Sequence, residues 1–372
     1  MLPTFTNQTI TPLIRVHFAD PASTVTSTQT DPLIGGTGEG LGRYRVSGKA
    51  RVQSKEADWS FVLKVLSPIS GGTTITDWNY WRREAHVYES DLLTTLPGPL
   101  QTPRCYGVQD QADGSCWIWL EDLGRPTEDA WTAETYWHAG HHLGQLNGHY
   151  LTTQELPAYP WLNRMFLPHW LDRVPGMTRL DEALAHPLVQ RLYPRDVLDG
   201  YHRLWATRAR WLSTLAQLPH TFCHLDAFPG NLFVRPTAIG GGTFVAIDWA
   251  YAGINAIGAE LAALTFAEVT LFKRIDLATA RSNAAAAWDG YLSGLAAVGW
   301  HGESKMVCIG YLATALLRFG VGMVPVSINV VIDPLIHEWA EPVYGSPIAG
   351  MIDYWVEVAR WRLELMRELM DL

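Results

Sequence analysis

The stretch "HLDAFPGN" at residues 224–231, together with "VAIDW" at 245–249, decides how this chain is interpreted. Asp226 and Asn231 lie five positions apart in a polar loop, and Asp248 ends an apolar segment that follows a glycine-containing turn. Taken singly, each side chain is explained equally well as a turn former or a strand-end residue. The ordered set predicts more, because a hairpin between the two motifs returns the chain to its start and brings Asp248 near Asn231.

These residue types suit phosphoryl transfer, which needs a divalent metal on the phosphates, a cation on the nucleotide and a group that orients the attacking hydroxyl. A carboxylate at Asp226 accepts a hydrogen bond from a substrate hydroxyl, so we predict it as the catalytic residue. Asn231 and Asp248 offer the oxygen ligands that Mg²⁺ prefers, and we predict that they bind it. His224 is expected to hold the loop through backbone hydrogen bonds.

The first third of the chain offers groups for a nucleotide. Lys64 lies in the apolar segment "FVLKV"; it either faces solvent on a strand or contacts phosphate while paired with Glu84 of "RREAHVYE". The stretch "GGTGEGLG" at 35–42 predicts a turn between two strands, in which Gly36, Gly38 and Gly40 let the backbone approach phosphates. It is not a Walker A loop, because no Lys-Ser or Lys-Thr pair follows.

The hydrophobic pattern changes along the chain. Up to about residue 120 it predicts strands at 42–53, 59–68 and 115–124, a turn at 54–58 and a helix at 78–93. Later segments have helical spacing, apart from the hairpin that joins 231–236 to 243–249. We therefore predict an α+β fold with two lobes. A small, antiparallel-sheet N-lobe at 1–122 binds the nucleotide, and a larger, mostly helical C-lobe at 123–372 carries the catalytic loop, the metal site and the acceptor-binding helices.

Composition limits the partners. The 372 residues are 48% hydrophobic and 17% charged with a net charge of −9, so a nucleic-acid partner is not expected. The four cysteines are scattered without a C-x-x-C motif, which argues against a zinc site and fits a reducing cytoplasm. No signal peptide is predicted, and the most apolar stretch, 309–332, is interrupted by Arg318 and Pro325, so no membrane partner is expected either.

The order of these motifs resembles the aminoglycoside phosphotransferase and choline kinase-like superfamily, relatives of the protein kinases, over roughly residues 30–265. The resemblance implies a bilobal protein-kinase-like fold and ATP- and Mg-dependent phosphorylation of a small-molecule hydroxyl. It assigns Asp226 to catalysis, Asn231 and Asp248 to the metal, and Lys64 and Glu84 to the nucleotide. It also places adenine at backbone groups of the linker 120–123, which includes Glu121 and Leu123.

The chain departs from the family pattern at several positions, and two of them bear on the site. Leu225 stands where relatives most often have Gly, and Glu260 of "GAELA" stands where they commonly have Asp. Neither departure removes a catalytic group, but because of them the resemblance does not identify the acceptor molecule.

The acceptor site is predicted in the tryptophan-rich stretch "YPWLNRMFLPHWLDRVPG" at 159–176, where relatives build acceptor pockets. Trp161 and Trp170 would either face a cationic acceptor through cation–π contacts or pack against an apolar ring system. The alternative is that both belong to the core. Glu260 is a further expected acceptor contact. The partner is therefore a hydroxylated small molecule, either cationic or with an apolar ring system.

Two other functions remain open from the sequence. A nucleotide-binding pseudokinase would act as a sensor or scaffold, but the presence of all five expected polar groups favours catalysis. Phosphorylation of proteins is a third possibility, and no segment like a protein-kinase activation segment follows Asp248.

Overall fold

A computed structural model of the chain describes residues 3, 5–33, 42–125, 131–173, 184–235, 243–272, 275–321, 341 and 347–372. The predicted phosphate-binding glycines Gly36, Gly38 and Gly40 lie outside the described residues.

Five antiparallel strands form the first part of the structure, as predicted. They are β1 (Thr24–Pro32), β2 (Gly42–Val52), β3 (Lys55–Leu66), β4 (Cys105–Asp110) and β5 (Cys116–Glu121), in the sheet order β1-β2-β3-β5-β4. Alternate residues of β3, Trp59, Phe61 and Leu63, are buried on one face, which is the period-two pattern of a strand with a core side.

An amino-terminal helix, α1 (Asn7–Phe18), covers that face and was not predicted. Its buried residues Ile10, Leu13 and Ile14 follow helical spacing and pack in one cluster with the three β3 side chains. Pro12 lies inside this helix, so the segment combines an apolar stripe with a residue that usually disfavours helix interiors.

The turn between β2 and β3 is shorter than predicted. Gln53 and Ser54 both have positive φ, 46° and 69°, and Val52 pairs directly with Lys55. Two central residues with positive φ make a tight hairpin turn whose twist matches the strands. The predicted turn at 54–58 is therefore wrong beyond Ser54, because Lys55 to Asp58 continue the ladder.

Helix α2 (Arg83–Glu89) packs on the opposite face of the sheet and is shorter than the predicted helix at 78–93. Ala85 of α2 lies in one buried cluster with Leu66 of β3 and with Ile118 and Leu120 of β5. This packing directs the first turn of α2 towards β3, the strand that carries Lys64.

The rest of the chain is mostly helical, as predicted. Its helices are α3 (Ala133–Thr152), α4 (Phe166–Arg173), α5 (Pro187–Leu192), α6 (Arg195–Gln217), α7 (Glu260–Ala267), α8 (Leu277–Ala297), α9 (Ser304–Ala315) and α10 (Ile348–Asp371). Two short antiparallel pairs lie among them: β6 (His220–Cys223) with β9 (Gly253–Ala256), and β7 (Leu232–Arg235) with β8 (Thr243–Ala246). None of the described helices is long and apolar enough to span a bilayer.

Helices α3 and α8 approach each other closely because each places glycines against the backbone of the other. A Cβ atom added to Gly144 of α3 would lie 2.2 Å from the Tyr291 carbonyl oxygen, and one added to Gly290 of α8 would lie 2.0 Å from the Trp137 carbonyl oxygen. Backbone atoms on both sides leave no flexible side chain to move aside. The pair thus forms a tightly packed support for β6, which contacts α3 and leads into the loop at 224–231.

Substitution Gly144→Ala tests this packing. Alanine favours a helix by about 1 kcal/mol over glycine, yet we expect the variant to lose about 2 kcal/mol of unfolding free energy, since the methyl group overpacks a backbone contact. Gly107→Ala, in strand β4, is the control for a methyl group added without a clash, because no atom lies within 4 Å of its added Cβ. Urea denaturation measures both; equal stabilities of the two variants would contradict the close approach.

Candidate active site

The loop from His224 to Asn231 connects β6 to β7, the first strand of the hairpin β7–β8. The last three residues of this loop, Pro229–Asn231, form a 3₁₀ turn. After β8, the Ile247 amide donates a hydrogen bond to the Asn231 carbonyl oxygen at 3.0 Å. The hairpin therefore brings Asp248 next to Asn231, as predicted from their order in the sequence.

Asp226 has a partner on each carboxylate oxygen. The Asn231 side-chain amide donates to Oδ2 at 3.0 Å and also to the Asp226 carbonyl oxygen at 3.0 Å. Arg318 donates from Nη2 to Oδ1 at 2.7 Å. The Asp226 side chain remains 20% exposed, so its carboxylate is oriented on two sides while part of it stays accessible.

Asn231 and Asp248 fit a divalent metal. The Asn231 amide nitrogen is used by Asp226, and Asp248 uses Oδ1 to accept from Lys64 at 2.8 Å. Asn231 Oδ1 and Asp248 Oδ2 have no hydrogen bond to a described residue, which leaves two neighbouring hard oxygens of the kind that Mg²⁺ prefers. Groups of three or more His, Cys, Asp or Glu side chains suited to a metal do not occur in the described part of the chain.

Asp248 has a left-handed backbone, with φ 63° and ψ 62°. This conformation is uncommon outside glycine, and it is held here by the fixed ends of the hairpin and the following 3₁₀ turn, Trp249–Tyr251. Non-glycine residues in this region cluster at functional sites, where the surrounding structure compensates the strain.

Lys64 lies between two carboxylates and is only 5% exposed, so the solvent-facing alternative does not apply. Its ammonium pairs with Glu84 of α2 and with Asp248. Burial raises the pKa of Glu84 to about 7 against the attraction of Lys64. Burial acts in the same direction on Asp248, but Lys64 outweighs it and the pKa of Asp248 is lowered. The three residues thus form a charged group, buried at Lys64 and Glu84 and partly exposed at Asp248, that joins the sheet, helix α2 and the segment after β8.

Arg83 is a site residue that the sequence interpretation missed. Its side chain is fully buried and donates to the carbonyl oxygens of Trp161 at 2.7 Å and Ala250 at 3.0 Å, as well as to those of Trp78 and Asp77. Helix α2 is thereby attached to the segment directly after Asp248. The neighbouring Arg82 instead pairs with the exposed Asp110, and nothing in "RRE" distinguishes the two arginines.

The linker after β5 is held by ion pairs. Asp122 accepts two hydrogen bonds from Arg45 of β2, at 2.7 and 3.0 Å. The Glu121 side chain pairs with Arg235 and accepts from the Arg104 amide at 3.1 Å. The Leu123 backbone forms no hydrogen bond with a described residue, which is compatible with its predicted contact to adenine.

The two tryptophans predicted at the acceptor differ in position. Trp161 is 7% exposed, and Tyr159 and His86 stack on it, so the structure favours the alternative of a core residue. Trp170 is half-buried, with its ring edge-to-face against Trp78 at 4.8 Å. Its indole nitrogen has no hydrogen-bond partner among the described residues. Trp170 therefore stays a predicted acceptor contact.

Glu260 does not face an acceptor, and this prediction is wrong. Its carboxylate is fully buried at the start of α7 and accepts from the backbone amides of His224 at 2.8 Å and Leu225 at 3.0 Å. Both oxygens are occupied by the loop. Burial raises the pKa of Glu260 to about 7, although these amide hydrogen bonds oppose the shift.

His224 braces the same loop, as predicted. Its ring is fully buried, with Nε2 donating to the Ile247 carbonyl oxygen at 2.8 Å and Nδ1 accepting from the Asp226 amide at 3.2 Å. Burial lowers the pKa of His224, in keeping with a neutral ring that donates on one side and accepts on the other.

The buried Glu260 makes stability depend on pH. A carboxyl whose pKa is higher folded than unfolded binds more protons when folded, so the unfolding free energy falls as the pH rises from about 4.5 to about 7. We expect the stability of the unsubstituted chain relative to Glu260→Gln to fall across this window, by up to about 1.4 kcal/mol per pH unit. Urea denaturation at pH 5, 6, 7 and 8 measures it. Glu84 titrates in both proteins and cancels; a difference that stays constant or grows with pH would contradict the assignment.

Solved structures with this fold include three kinases. A choline kinase from Cryptosporidium parvum Iowa II is 12% identical to this chain with a TM-score of 0.53, and the superposition covers 92% of this chain and 90% of the choline kinase chain. A spectinomycin phosphotransferase, solved with ADP and spectinomycin, is 15% identical with a TM-score of 0.51, covering 98% and 100%. An amicoumacin kinase, solved with AMP-PNP and Ca²⁺, is 14% identical with a TM-score of 0.50, covering 90% and 88%. These likenesses confirm the predicted bilobal, protein-kinase-like α+β fold.

No curated protein matches the chain in sequence. The sequence profile of the phosphotransferase enzyme family, by contrast, matches residues 81–298, a span that begins just before α2 and includes the loop at 224–231, the hairpin and α7. Since this match covers more than half of the chain, the protein belongs to the phosphotransferase enzyme family, the group to which its motifs were assigned by resemblance.

Proposed function

We propose that this chain is an ATP- and Mg²⁺-dependent phosphotransferase that phosphorylates a hydroxyl group of a small molecule. The observation that carries the proposal is the buried contact of Lys64 with both Glu84 and Asp248, beside Asn231 and Asp226. A phosphoryl-transfer site needs these charges at one place, and here they come from segments as far apart in sequence as β3 and the loop after β8.

Each side chain has a separate role in this proposal. Lys64 contacts the nucleotide phosphates while Glu84 holds its ammonium in place. Asn231 and Asp248 hold Mg²⁺, which when bound neutralises charge on the transferred phosphoryl group. Asp226 accepts a hydrogen bond from the acceptor hydroxyl and directs its oxygen towards the phosphorus.

All four cysteines are free thiols, which supports action in a reducing compartment such as the cytoplasm.

A nucleotide-binding sensor or scaffold is the second candidate. It shares the requirement for Lys64 and Asp248, but it needs no oriented carboxylate at position 226. The two hydrogen bonds that orient Asp226, from Asn231 and Arg318, favour catalysis over binding alone.

Substitution Asp226→Asn separates these two functions. We expect MgATP turnover to fall by about 100-fold or more, since an amide no longer accepts the hydroxyl proton, while nucleotide affinity stays within about twofold. Asp248→Ala is the companion variant and should lose Mg²⁺-dependent nucleotide binding. ADP release and a thermal shift with MgADP measure the two effects. Tight MgATP binding with no turnover on any acceptor would support the scaffold.

The surroundings of Asp226 also bear on the acceptor. Tyr251 and Phe166 lie in contact, 5.3 Å between ring centres, and Trp78 and Trp170 extend this aromatic cluster. The Arg318 guanidinium, which pairs with Asp226, lies over the Tyr251 ring, so the cluster lies beside the catalytic loop. Burial, with the charge of Asp226 adding, raises the pKa of the Tyr251 phenol. Phe166 is itself buried, so the rings available to an acceptor near the reacting hydroxyl are the half-buried ones of Trp78, Trp170 and Tyr251.

A cation of the chain itself, the Arg318 guanidinium, already lies over the rings of this cluster. The Arg318 guanidinium lies 4.7 Å from the Phe166 ring centre and 5.9 Å from that of Tyr251, and it pairs with Asp226. A second cation here would face Arg318 at a repulsion on the order of 1–3 kcal/mol. Of the two acceptor types predicted from the sequence, we therefore propose the one with an apolar ring system and no cation next to its reacting hydroxyl.

Two matched pairs of alcohols test this preference: cyclohexanol with 4-hydroxypiperidine, and 3,3-dimethylbutan-1-ol with choline. In each pair the members have similar shape and differ in charge. We expect kcat/KM for the neutral member to exceed that of the cation by about tenfold or more, as the estimated repulsion implies. Phosphorylated product, detected by mass spectrometry, is the readout. A preference for choline or 4-hydroxypiperidine would show that a cationic acceptor is bound instead.

A further inference from the structure

Arg318 lies at the active site although no motif pointed to it. Helix α9 continues into a π-helical turn, Leu316–Gly320, and Arg318 is in the middle of that turn. Widened turns of this kind are rare and are frequently found at functional sites. The Arg318 side chain is only 9% exposed, so its guanidinium is largely removed from solvent and depends on protein partners.

Those partners belong to the catalytic loop. Nη2 donates to Asp226 Oδ1 at 2.7 Å, and Nη1 donates to the Leu225 carbonyl oxygen. Phe166 and Phe319 lie under the guanidinium, each with its ring centre 4.7 Å away. Two donors in the fixed geometry of one guanidinium thus hold a side chain and the adjacent backbone together.

Leu225 needs such support because its φ is +66°, a conformation that side chains larger than glycine adopt at a cost. Its amide is held by Glu260 of α7, and its carbonyl oxygen by Arg318 of the π-helical turn. The strained residue is therefore fixed from both sides by buried, charged groups on two separate helical segments. The next residue is Asp226, so this backbone conformation determines where the carboxylate points.

We infer that Arg318 is a positioning residue: it fixes the strained backbone at Leu225 and the Asp226 carboxylate in the orientation that the acceptor hydroxyl requires. The inference rests on the proposed function for its kinetic consequence, although not for its structural one. Among the described residues, Arg318 contacts neither Lys64 nor Asp248 and is linked to Asn231 through Asp226, so we expect nucleotide affinity to change little when Arg318 is replaced.

The test compares Arg318→Met, Arg318→Lys and Arg362→Met in the full chain. Arg362 is the matched control: as whole residues both arginines are 7% exposed, and Arg362 lies over Phe266 and bonds Thr270, with no described contact to the catalytic loop. Loss of a buried arginine is common to both methionine variants, so any general destabilisation appears in both. Lysine keeps a charge for Asp226 but lacks the second donor of the fork.

With MgATP turnover measured by phosphate release to water, we expect Arg318→Met to lower kcat by about 100-fold with an unchanged KM for ATP, as is typical of a misplaced reacting group. Arg318→Lys should recover about tenfold of that loss, while Arg362→Met should stay within about twofold of the parent. An Arg318→Met kcat within twofold of the parent, or a fall shared equally by Arg362→Met, would overturn the inference.

Hydrogen–deuterium exchange of the peptide covering 224–231 provides a readout that is independent of activity. We expect faster exchange in Arg318→Met than in Arg362→Met, because the Leu225 carbonyl loses its anchor; equal exchange in these two variants would also overturn the inference. If Arg318→Met does not fold, Arg318→Lys is measured in its place against the same control. A parent chain that neither binds nor hydrolyses MgATP would refute the proposed function while leaving this exchange comparison decisive.

Discussion

The ion group formed by Lys64, Glu84 and Asp248 is the interaction on which the rest of the structure depends. One ammonium is shared by the buried carboxylate of Glu84 and the partly exposed carboxylate of Asp248, so the arrangement is stable only while all three side chains meet. A buried ion left without its partner costs several kcal/mol. The sheet must therefore present Lys64 inward, α2 must pack on that face of the sheet, and the hairpin must return Asp248 to the same point. The two parts of the molecule are joined electrostatically at the place where the proposed reaction occurs.

Two residues of the site, Leu225 and Asp248, have a left-handed backbone. Each costs free energy that the surrounding contacts offset: Glu260 and Arg318 at the first, the closed hairpin and Lys64 at the second. Both residues directly adjoin or carry a proposed catalytic oxygen. The strain thus lies where the backbone must direct the side chain of Asp226 or Asp248 towards the other site residues.

The sequence predicted those parts of the site that depend on short-range order. Asp226 and Asn231 share one loop, and the hairpin to Asp248 follows from a turn between two apolar segments. Arg318, Arg83 and Glu260 could not be assigned in this way, because each acts on groups far away in sequence and no spacing records such a contact. The same reason explains why the prediction for Glu260 was wrong and why Trp161 takes the core alternative: the residue type was compatible with an acceptor, but which face of its segment is buried is decided by tertiary packing. Helix α1 was missed although Ile10, Leu13 and Ile14 follow helical spacing.

The buried guanidinium of Arg83 limits how far helix α2 can move. Its hydrogen bonds to four carbonyl oxygens attach α2 both to the segment after Asp248 and to Trp161. An outward rotation of α2 that separated Glu84 from Lys64 would also break the hydrogen bonds between the buried Arg83 guanidinium and these carbonyl oxygens. Such a rotation would cost several kcal/mol. These contacts therefore oppose a movement of α2 away from the segment after Asp248.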